Sequence, residues 1–234
     1  MYRFLLAFVL IAVAGPAWAA ERSFTVSNFD RVRVDGPFEV RVIVGGGTSS
    51  SGKASGDARV LADLDLGVQN NTLVVRRGNG GWGERGKVTG PAPVVTIMLP
   101  ALRGATVIGG GKLAISGKIN SPRIDFQITG TGSIDAQGIA AEDVMVTLIG
   151  FGHITLAGRS GRARLVTNGS GTIAATGLDV GDLLVRLDGP GETQASARFT
   201  ADVTSTGLGR VVVAGNPKCT VRALAGGPVS CGAP

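Results

Sequence analysis

The chain has 234 residues, of which 38 are glycine, more than twice the usual share of about 7%. Glycine destabilises helix interiors, so this composition excludes a helical enzyme, and collagen is excluded because Gly does not recur at every third position. Hydrophobic residues make up 44% of the chain and mean hydropathy is +0.28, which excludes wholesale disorder. The composition therefore predicts a single β domain with many tight turns.

Residues 1–19 have the pattern of a secretory signal peptide. Arg3 is followed by the apolar run 4–15 and by Ala17-Trp18-Ala19, which are the charged, apolar and small-residue parts of such a signal. The apolar run is shorter than the ~20 residues of a membrane span. We predict cleavage after Ala19 and a soluble mature domain over residues 20–234, without a transmembrane segment, in the periplasm or at the cell surface. A lipid anchor is excluded because no cysteine lies near the cleavage point.

The net charge indicates which classes of partner are favoured, and the cysteines indicate a disulfide. Without Arg3, the 23 basic residues become 22 against 17 acidic residues, a net charge of +5, which favours anionic surfaces such as acidic glycans. The basic residues form no dense block, so nucleic-acid binding is unsupported. Cys219 and Cys231, the two cysteines of an exported chain, predict one disulfide.

A repeat of about twenty residues begins near residue 105. Six G-x-G motifs follow one another at steps of 21, 20, 19, 20 and 18 residues, and a further Gly stands eight positions after each first glycine except at Ala197. Repeats of this period indicate a solenoid or similar array. The structural turn glycines are Gly109 and Gly111, Gly130 and Gly132, Gly150 and Gly152, Gly169 and Gly171, Gly189 and Gly191, and Gly207 and Gly209.

The residues on both sides of each G-x-G alternate between apolar and polar, as strands do. The residues four and two positions before the first glycine, and four and six positions after it, are mostly apolar and are predicted to point into the interior. Stacked coils then place each inward side chain on its neighbours about 4.8 Å away. We predict an all-β parallel β-helix, a right-handed β-solenoid with coils of about 20 residues. The inward columns are Ala105, Phe126, Val146, Leu165, Val185 and Val203; Val107, Ile128, Leu148, Thr167, Leu187 and Ser205; Leu113, Ile134, Ile154, Ile173, Thr193 and Val211; and Ile115, Ala136, Leu156, Ala175, Ala195 and Val213.

The rest of the mature chain is less regular. Residues 20–104 are predicted as irregular N-terminal coils and a cap, with strands in 29–44 around Gly36-Pro37, at 72–76 and at 94–99, and glycine-rich loops at 45–56 and 78–90. Regular coils follow over 105–215, and residues 216–234 form a C-terminal cap with the disulfide.

Three stretches carry a resemblance to a known family: residues 29–40 (FDRVRVDGPFEV), residues 63–75 and the later G-x-G coils. They resemble the bacterial GIN domain of auto-transporter adhesin heads over nearly all of the mature chain. The resemblance implies an exported β-helical domain without an assigned biochemical activity.

No catalytic, cofactor or metal site emerges from the sequence. Residues 47–53 and 81–87 both fit G-x-x-x-x-G-K, but Ala54 and Val88 replace the Ser or Thr of a phosphate loop, so both are interpreted as loops. His153, the only histidine, is expected at the surface. Asp135, Asp188 and the other acidic residues occupy different columns, whereas glycoside hydrolysis needs two facing carboxylates.

The exposed middle of a G-x-G corner offers one speculative ligand contact, Phe151, whose ring could stack on a sugar; packing between adjacent corners is the alternative.

The leading hypothesis is an exported, non-catalytic, adhesin-like binding or structural module at the cell envelope, with envelope glycans or proteins as candidate partners. A polysaccharide lyase or hydrolase is the alternative. Strand addition at an exposed edge is a third hypothesis, and the solenoid edges are a candidate surface for homo-oligomers.

Overall fold

The computed structural model describes residues 20–25, 28–45, 47–78 and 92–232. The predicted signal peptide at 1–19 and the second phosphate-loop-like segment at 81–87 lie outside these residues. Within them the chain forms seventeen strands and one short helix, arranged as a β-solenoid of about six turns. No helix in the described ranges is both long enough and apolar enough to cross a membrane.

The strands vary from short N-terminal segments to long strands that bend around the corners of the coil. In chain order they are β1 (Ala20–Thr25), β2 (Arg31–Asp35), β3 (Glu39–Val44), β4 (Ser51–Gly56), β5 (Leu64–Gln69), β6 (Thr72–Arg77), β7 (Val94–Leu99), β8 (Gly104–Gly109), β9 (Lys112–Gly117), β10 (Ile119–Gly130), β11 (Ser133–Gly150), β12 (His153–Asn168), β13 (Thr172–Asp188), β14 (Glu192–Ser205), β15 (Arg210–Gly215), β16 (Lys218–Ala223) and β17 (Val229–Cys231), with helix α1 (Ala58–Ala62) between β4 and β5.

Each regular coil contributes to three parallel sheets. The first sheet runs before the G-x-G corner in the order β6, β2, β8, β10 to β14 and β16, and the second sheet runs after the corner from β7, β3 and β9 to β15 and β17. The third sheet consists of residues 119–121, 139–141, 158–160 and 178–180, which pair in parallel. The segment between the second corner glycine and the next first-sheet strand therefore forms a third side of the coil. The right-handed sense of the coil stays a prediction.

The interior is filled by the inward columns. Every residue of the four predicted columns is buried, with a relative exposure of 2% or less, and the parallel registers place successive members directly over one another. Burial of an Ile or Leu side chain contributes roughly 1.5–3 kcal/mol. The stacked rows of Ile, Leu and Val therefore supply the main stabilising term of the fold, and the prediction of the fold class is confirmed.

The two glycines of a corner are required for different reasons. In five of the six corners the first glycine adopts a positive φ, as at Gly150 with φ of 111°, which costs an L side chain steric energy. The second leaves no room: a Cβ at Gly171 would lie 2.6 Å from the carbonyl oxygen of Gly152 in the coil below. Adjacent corners can therefore stack only if both positions lack a side chain.

The N-terminal part differs from the prediction in two ways. The coil of β2 and β3 lies between the coil of β6 and β7 and that of β8 and β9, so spatial order departs from chain order. In addition, residues 51–56, predicted as part of a loop, form strand β4, which pairs antiparallel with both β7 and β1. Its small residues Gly52 and Ala54 are buried, and hydrogen bonding on both edges offsets the low strand propensity of a Gly- and Ser-rich sequence.

The two ends of the solenoid are built differently. At the N-terminal end, β4 covers the edge of β7 and β5 covers the edge of β6, in both cases antiparallel. At the other end, the segment predicted as a cap forms the last coil, in which β16 pairs with β14 and β17 pairs with β15. The predicted disulfide joins Cys219 of β16 to Cys231 of β17.

Candidate functional site

A recess on the outer face of the first sheet arises where one strand residue has no side chain. Gly104 stands between Arg31 of β2 and Asp125 of β10. A Cβ at Gly104 would lie 3.5 Å from Arg31 Cγ and 3.4 Å from the carbonyl oxygen of Asp125. The Arg31 and Asp125 side chains approach to 3.8 Å across this gap. The result is a recess of about 620 Å³.

One wall of this recess is the tip of the β5–β6 hairpin, which contributes Gln69, Asn70 and Thr72. Asn70 and Asn71 form the two-residue turn with φ of 48° and 60°, a left-handed conformation that Asn tolerates better than most residues. The carbonyl oxygen of Asn71 accepts hydrogen bonds from the N–H groups of Asp30 and Arg31 at 3.1 and 3.2 Å. The wall is thus tied to the start of β2.

A row of polar side chains crosses the floor along the solenoid axis. Thr106, Gln127 and Thr147 are neighbours in β8, β10 and β11, and all three line the recess. Their outward position follows from strand alternation with the buried residues Val107, Ile128 and others of the core. Among the described residues, none of the three side chains has a hydrogen-bond partner, so the row offers free donors and acceptors.

A second recess of about 550 Å³ continues the first along the same sheet and shares Arg123 and Met145 with it. It contains Arg164 and Asp202, which are exposed and make no ion pair or side-chain hydrogen bond within the described part of the chain. We call the two recesses together the groove. It extends across eight strands from β6 to β14, about 34 Å at the ~4.8 Å spacing of neighbouring strands.

One side of the groove is bordered by a column of alternating charge: Arg123, Asp143, Arg162 and Asp182 are successive neighbours in β10 to β13. Arg162 binds Asp143 through two contacts, Nε to Oδ1 at 2.8 Å and Nη2 to Oδ2 at 3.1 Å. This hydrogen bond and the charge of Asp143 raise the pKa of Arg162 above its ordinary value. The column is solvent-exposed, so it orders side chains more than it stabilises the fold.

Beyond this column, the third sheet forms a shelf of about 500 Å³ floored by small residues that include Ala140, Ala141 and Gly161. Phe199, 62% exposed, lies over Gly181, which stacks on Gly161 of the shelf: a Cβ on Gly181 would lie 3.5 Å from the Phe199 ring and 2.5 Å from the carbonyl oxygen of Gly161. Arg198 lies over that ring at 5.2 Å from the centroid and pairs with Asp179 at 3.1 Å. An exposed ring thus lies next to the small-residue shelf.

Sequence reasoning missed Phe199. A signal was present in the sequence. The glycine that stands eight positions after the first glycine of the other corners is replaced by Ala197, and Phe199 follows two positions later. The register explains the position: Val180 pairs with Ala197 and Asp182 with Thr200, so β14 has one extra residue at this corner. That bulge turns Phe199 outward.

The residues singled out from the sequence lie apart from one another. Phe151 is 74% exposed at the middle of its corner and lines neither the groove nor the shelf. His153 is exposed, and a ring nitrogen lies 3.1 Å from Thr155 Oγ1. Asp135 accepts a hydrogen bond from Gln137 on the second sheet, whereas Asp188 accepts one from Thr206 at the end of the first. The structure does not bring these two carboxylates together.

The described ranges contain no metal-ligand cluster and no phosphate-binding loop. No group of three or more His, Cys, Asp or Glu side chains there could hold a metal ion. In the first phosphate-loop-like segment, residues 47–53, the Gly52-Lys53 step belongs to strand β4 and pairs with β1 and β7, so its backbone forms no cradle for phosphate.

The fold is shared with several crystal structures. A putative adhesin from Bacteroides fragilis has a TM-score of 0.81 at 19% identity, with 93% of this chain and 98% of that chain covered. A putative lipid binding protein from Parabacteroides distasonis has a TM-score of 0.74 at 18% identity, with 94% and 98% covered. A putative adhesin from the same organism has a TM-score of 0.73 at 16% identity and the same coverage. At these identities the likeness establishes the fold.

No curated protein matches the chain. Residues 28–217 match the family described as "Putative auto-transporter adhesin, head GIN domain", which is the family indicated by the sequence motifs. This match spans most of the described residues, including every strand that lines the groove. The chain therefore belongs to the GIN-domain family.

Proposed function

We propose that this chain is an exported, non-catalytic binding module of the bacterial envelope and that its groove holds an extended polysaccharide. The observation that carries the proposal is the row of unpartnered polar side chains, Thr106, Gln127 and Thr147, along the groove floor. Sugar hydroxyls are both donors and acceptors, and side-chain hydroxyls and amides can meet both requirements. The signal-like residues 1–19 and the disulfide support an oxidising compartment outside the cytoplasm.

The charges of the groove favour a neutral or weakly charged ligand over nucleic acid. Arg31 and Arg123 are paired with Asp125, and Arg33 is paired with Asp35. Binding to phosphates would require these arginines to exchange a carboxylate for a phosphate, whereas nucleic-acid sites keep clusters of free basic residues. An acyl chain would require a mostly apolar lining, which the Thr and Gln row does not provide.

The shelf supplies the apolar contact that a polar groove lacks. The exposed ring of Phe199, next to the shelf, can pack against the C–H face of a sugar while Arg159 and Glu142, which line the shelf, meet its hydroxyls. The shelf adjoins the groove across the Arg162 column, so one branched or bent glycan can contact both surfaces.

The lyase or hydrolase alternative gains no comparable observation, since Asp143 and Asp182 both engage protein groups rather than facing each other across an open cleft.

The test is co-sedimentation of the purified 20–234 chain with insoluble peptidoglycan, together with binding to an array of bacterial envelope polysaccharides. We expect retention by at least one glycan and a loss of at least about tenfold in affinity for the double variant Gln127→Leu and Thr147→Val, because each lost hydrogen bond costs about 1 kcal/mol.

The matched control is Gln194→Leu with Thr155→Val, the same changes on the outer face of the second sheet. It is expected to bind like the unmodified chain. Absence of binding to every glycan, or an equal loss in both double variants, would contradict the proposal. Release of reducing ends or unsaturated sugars would instead identify an enzyme.

A further inference from the structure

The last coil carries a strand edge without a partner. Strand β16 pairs with β14 on one side, and within the described residues no strand pairs with its other side. All six residues of β16 are exposed. By contrast, the edges of β6 and β7 at the opposite end are covered by β5 and β4. Uncovered edges of this kind readily pair with another chain.

The hydrogen bonds of β16 define which backbone groups are free. The N–H of Leu224 donates to the carbonyl oxygen of Ser205 in β14 at 2.9 Å. Backbone groups of a strand alternate in direction, so Lys218, Thr220 and Arg222 also bond toward β14. The N–H and C=O groups of Cys219, Val221 and Ala223 therefore point to the open edge.

The inward side chains of the last coil have no further coil of the described chain stacked on them. Cys219, Val221 and Ala223 continue the buried positions Ala201, Val203 and Ser205 of β14. Val221 is 44% exposed, whereas Val203 directly beneath it is fully buried. The Cys219–Cys231 bridge holds β16 to β17 across the coil, so the edge is pre-ordered for pairing and loses little entropy when it pairs.

We propose that this edge pairs with the same edge of a second copy of the chain, so that two solenoids join end to end through an antiparallel β16–β16 ladder. A two-fold axis through Val221 makes each free group meet a free group, because Cys219 then faces Ala223 of the other copy and Val221 faces itself. The surface is thus self-complementary, as a symmetric dimer requires.

The charges of β16 select this register over its neighbours. With the axis at Val221, Arg222 faces Thr220 and Lys218 faces Leu224, which is 77% exposed. With the axis one residue earlier, Lys218 would face Arg222, and one residue later Arg222 would face itself. Like charges directly opposite each other destabilise a strand pair. Only the Val221-centred register pairs all three free positions without such a contact.

The inference is independent of glycan binding and is tested by sedimentation of the 20–234 chain over a concentration series. We expect a reversible dimer. Thr220→Glu places a carboxylate opposite Arg222 twice per dimer and is expected to strengthen it several-fold, whereas Thr220→Lys is expected to weaken it about tenfold. Thr220 is exposed and lies in register with Asp202 of β14, so a thermal melt of each variant checks that the last coil is retained before the dimer is compared.

The same two substitutions at Thr155, on the second sheet and several coils away, form the control and are expected to leave the dimer unchanged. A chain that stays monomeric over the whole series overturns the inference. So does a dimer with equal dissociation constants in the two Thr220 variants, and so does crosslinking in cells that joins β16 only to a different protein.

Discussion

Thr167 Oγ1 and Thr193 Oγ1 lie 3.0 Å apart inside the solenoid, and both residues are fully buried. Thr167 ends a first-sheet strand and Thr193 begins a second-sheet strand one coil further on. Each hydroxyl occupies a column that is otherwise mostly apolar. The pair satisfies one polar group with the other, which is the condition under which buried hydroxyls are tolerated.

Replacing one threonine of this pair should lower the free energy of unfolding more than replacing both. In Thr167→Val the hydroxyl of Thr193 is left without its partner, so we expect a loss of about 1–3 kcal/mol in the free energy of unfolding. The double variant Thr167→Val and Thr193→Val replaces both by apolar groups of the same shape and is expected to approach the unmodified stability. Chemical denaturation of the four proteins of the cycle measures this, and additive losses would contradict the interaction.

Ile154 tests the inward columns. It is fully buried between Ile134 and Ile173, and an aspartate there would place a carboxylate in a dry interior without a partner. We expect Ile154→Asp to abolish cooperative unfolding in a thermal melt. His153→Asp, one residue earlier and exposed, is the control and should melt normally; an unchanged melt for Ile154→Asp would contradict the inward assignment.

Gly171 tests the stacking of corners. A Cβ there would lie 2.6 Å from the carbonyl oxygen of Gly152 and 2.7 Å from Leu148 Cδ2, and the Gly152 backbone cannot yield without separating two coils. We expect Gly171→Ala to lose about 1–3 kcal/mol or more by overpacking. Gly67→Ala, with nothing within 4 Å of its Cβ position, should stay within about 0.5 kcal/mol. Equal stability of the two variants would be inconsistent with the described corner.

The disulfide is expected to protect the last coil more than the rest of the molecule. Cys219 and Cys231 are 12 residues apart, and closing a loop of this length contributes roughly 2–3 kcal/mol in the chain-entropy description. In the Cys219→Ser and Cys231→Ser double variant we expect faster amide exchange in residues 218–231. Exchange in β11 and β12 should be unchanged, and a uniform increase along the chain would argue against a local role.

Phe151 and Phe199 illustrate what could and could not be predicted about the site. The G-x-G spacing alone places Phe151 at an exposed corner. Phe199 became a candidate only through the bulge that sets Val180 against Ala197 and Asp182 against Thr200, which is a property of two strands together. Likewise, the groove arises because Gly104 falls between Arg31 and Asp125, residues that are distant in sequence.

The solenoid follows from the periodicity of the amino-acid sequence: glycine recurs where the backbone must turn and pass closely over another coil, and mostly apolar residues recur at the inward positions. Both are local periodicities, so they are readable one coil at a time. The tertiary structure alone decided the order of the N-terminal coils, the conversion of residues 51–56 into a strand, the groove and the open edge of β16. These features depend on which distant segments share backbone hydrogen bonds. Backbone N–H and C=O groups are nearly the same in every residue, so the sequence does not indicate which of them will pair.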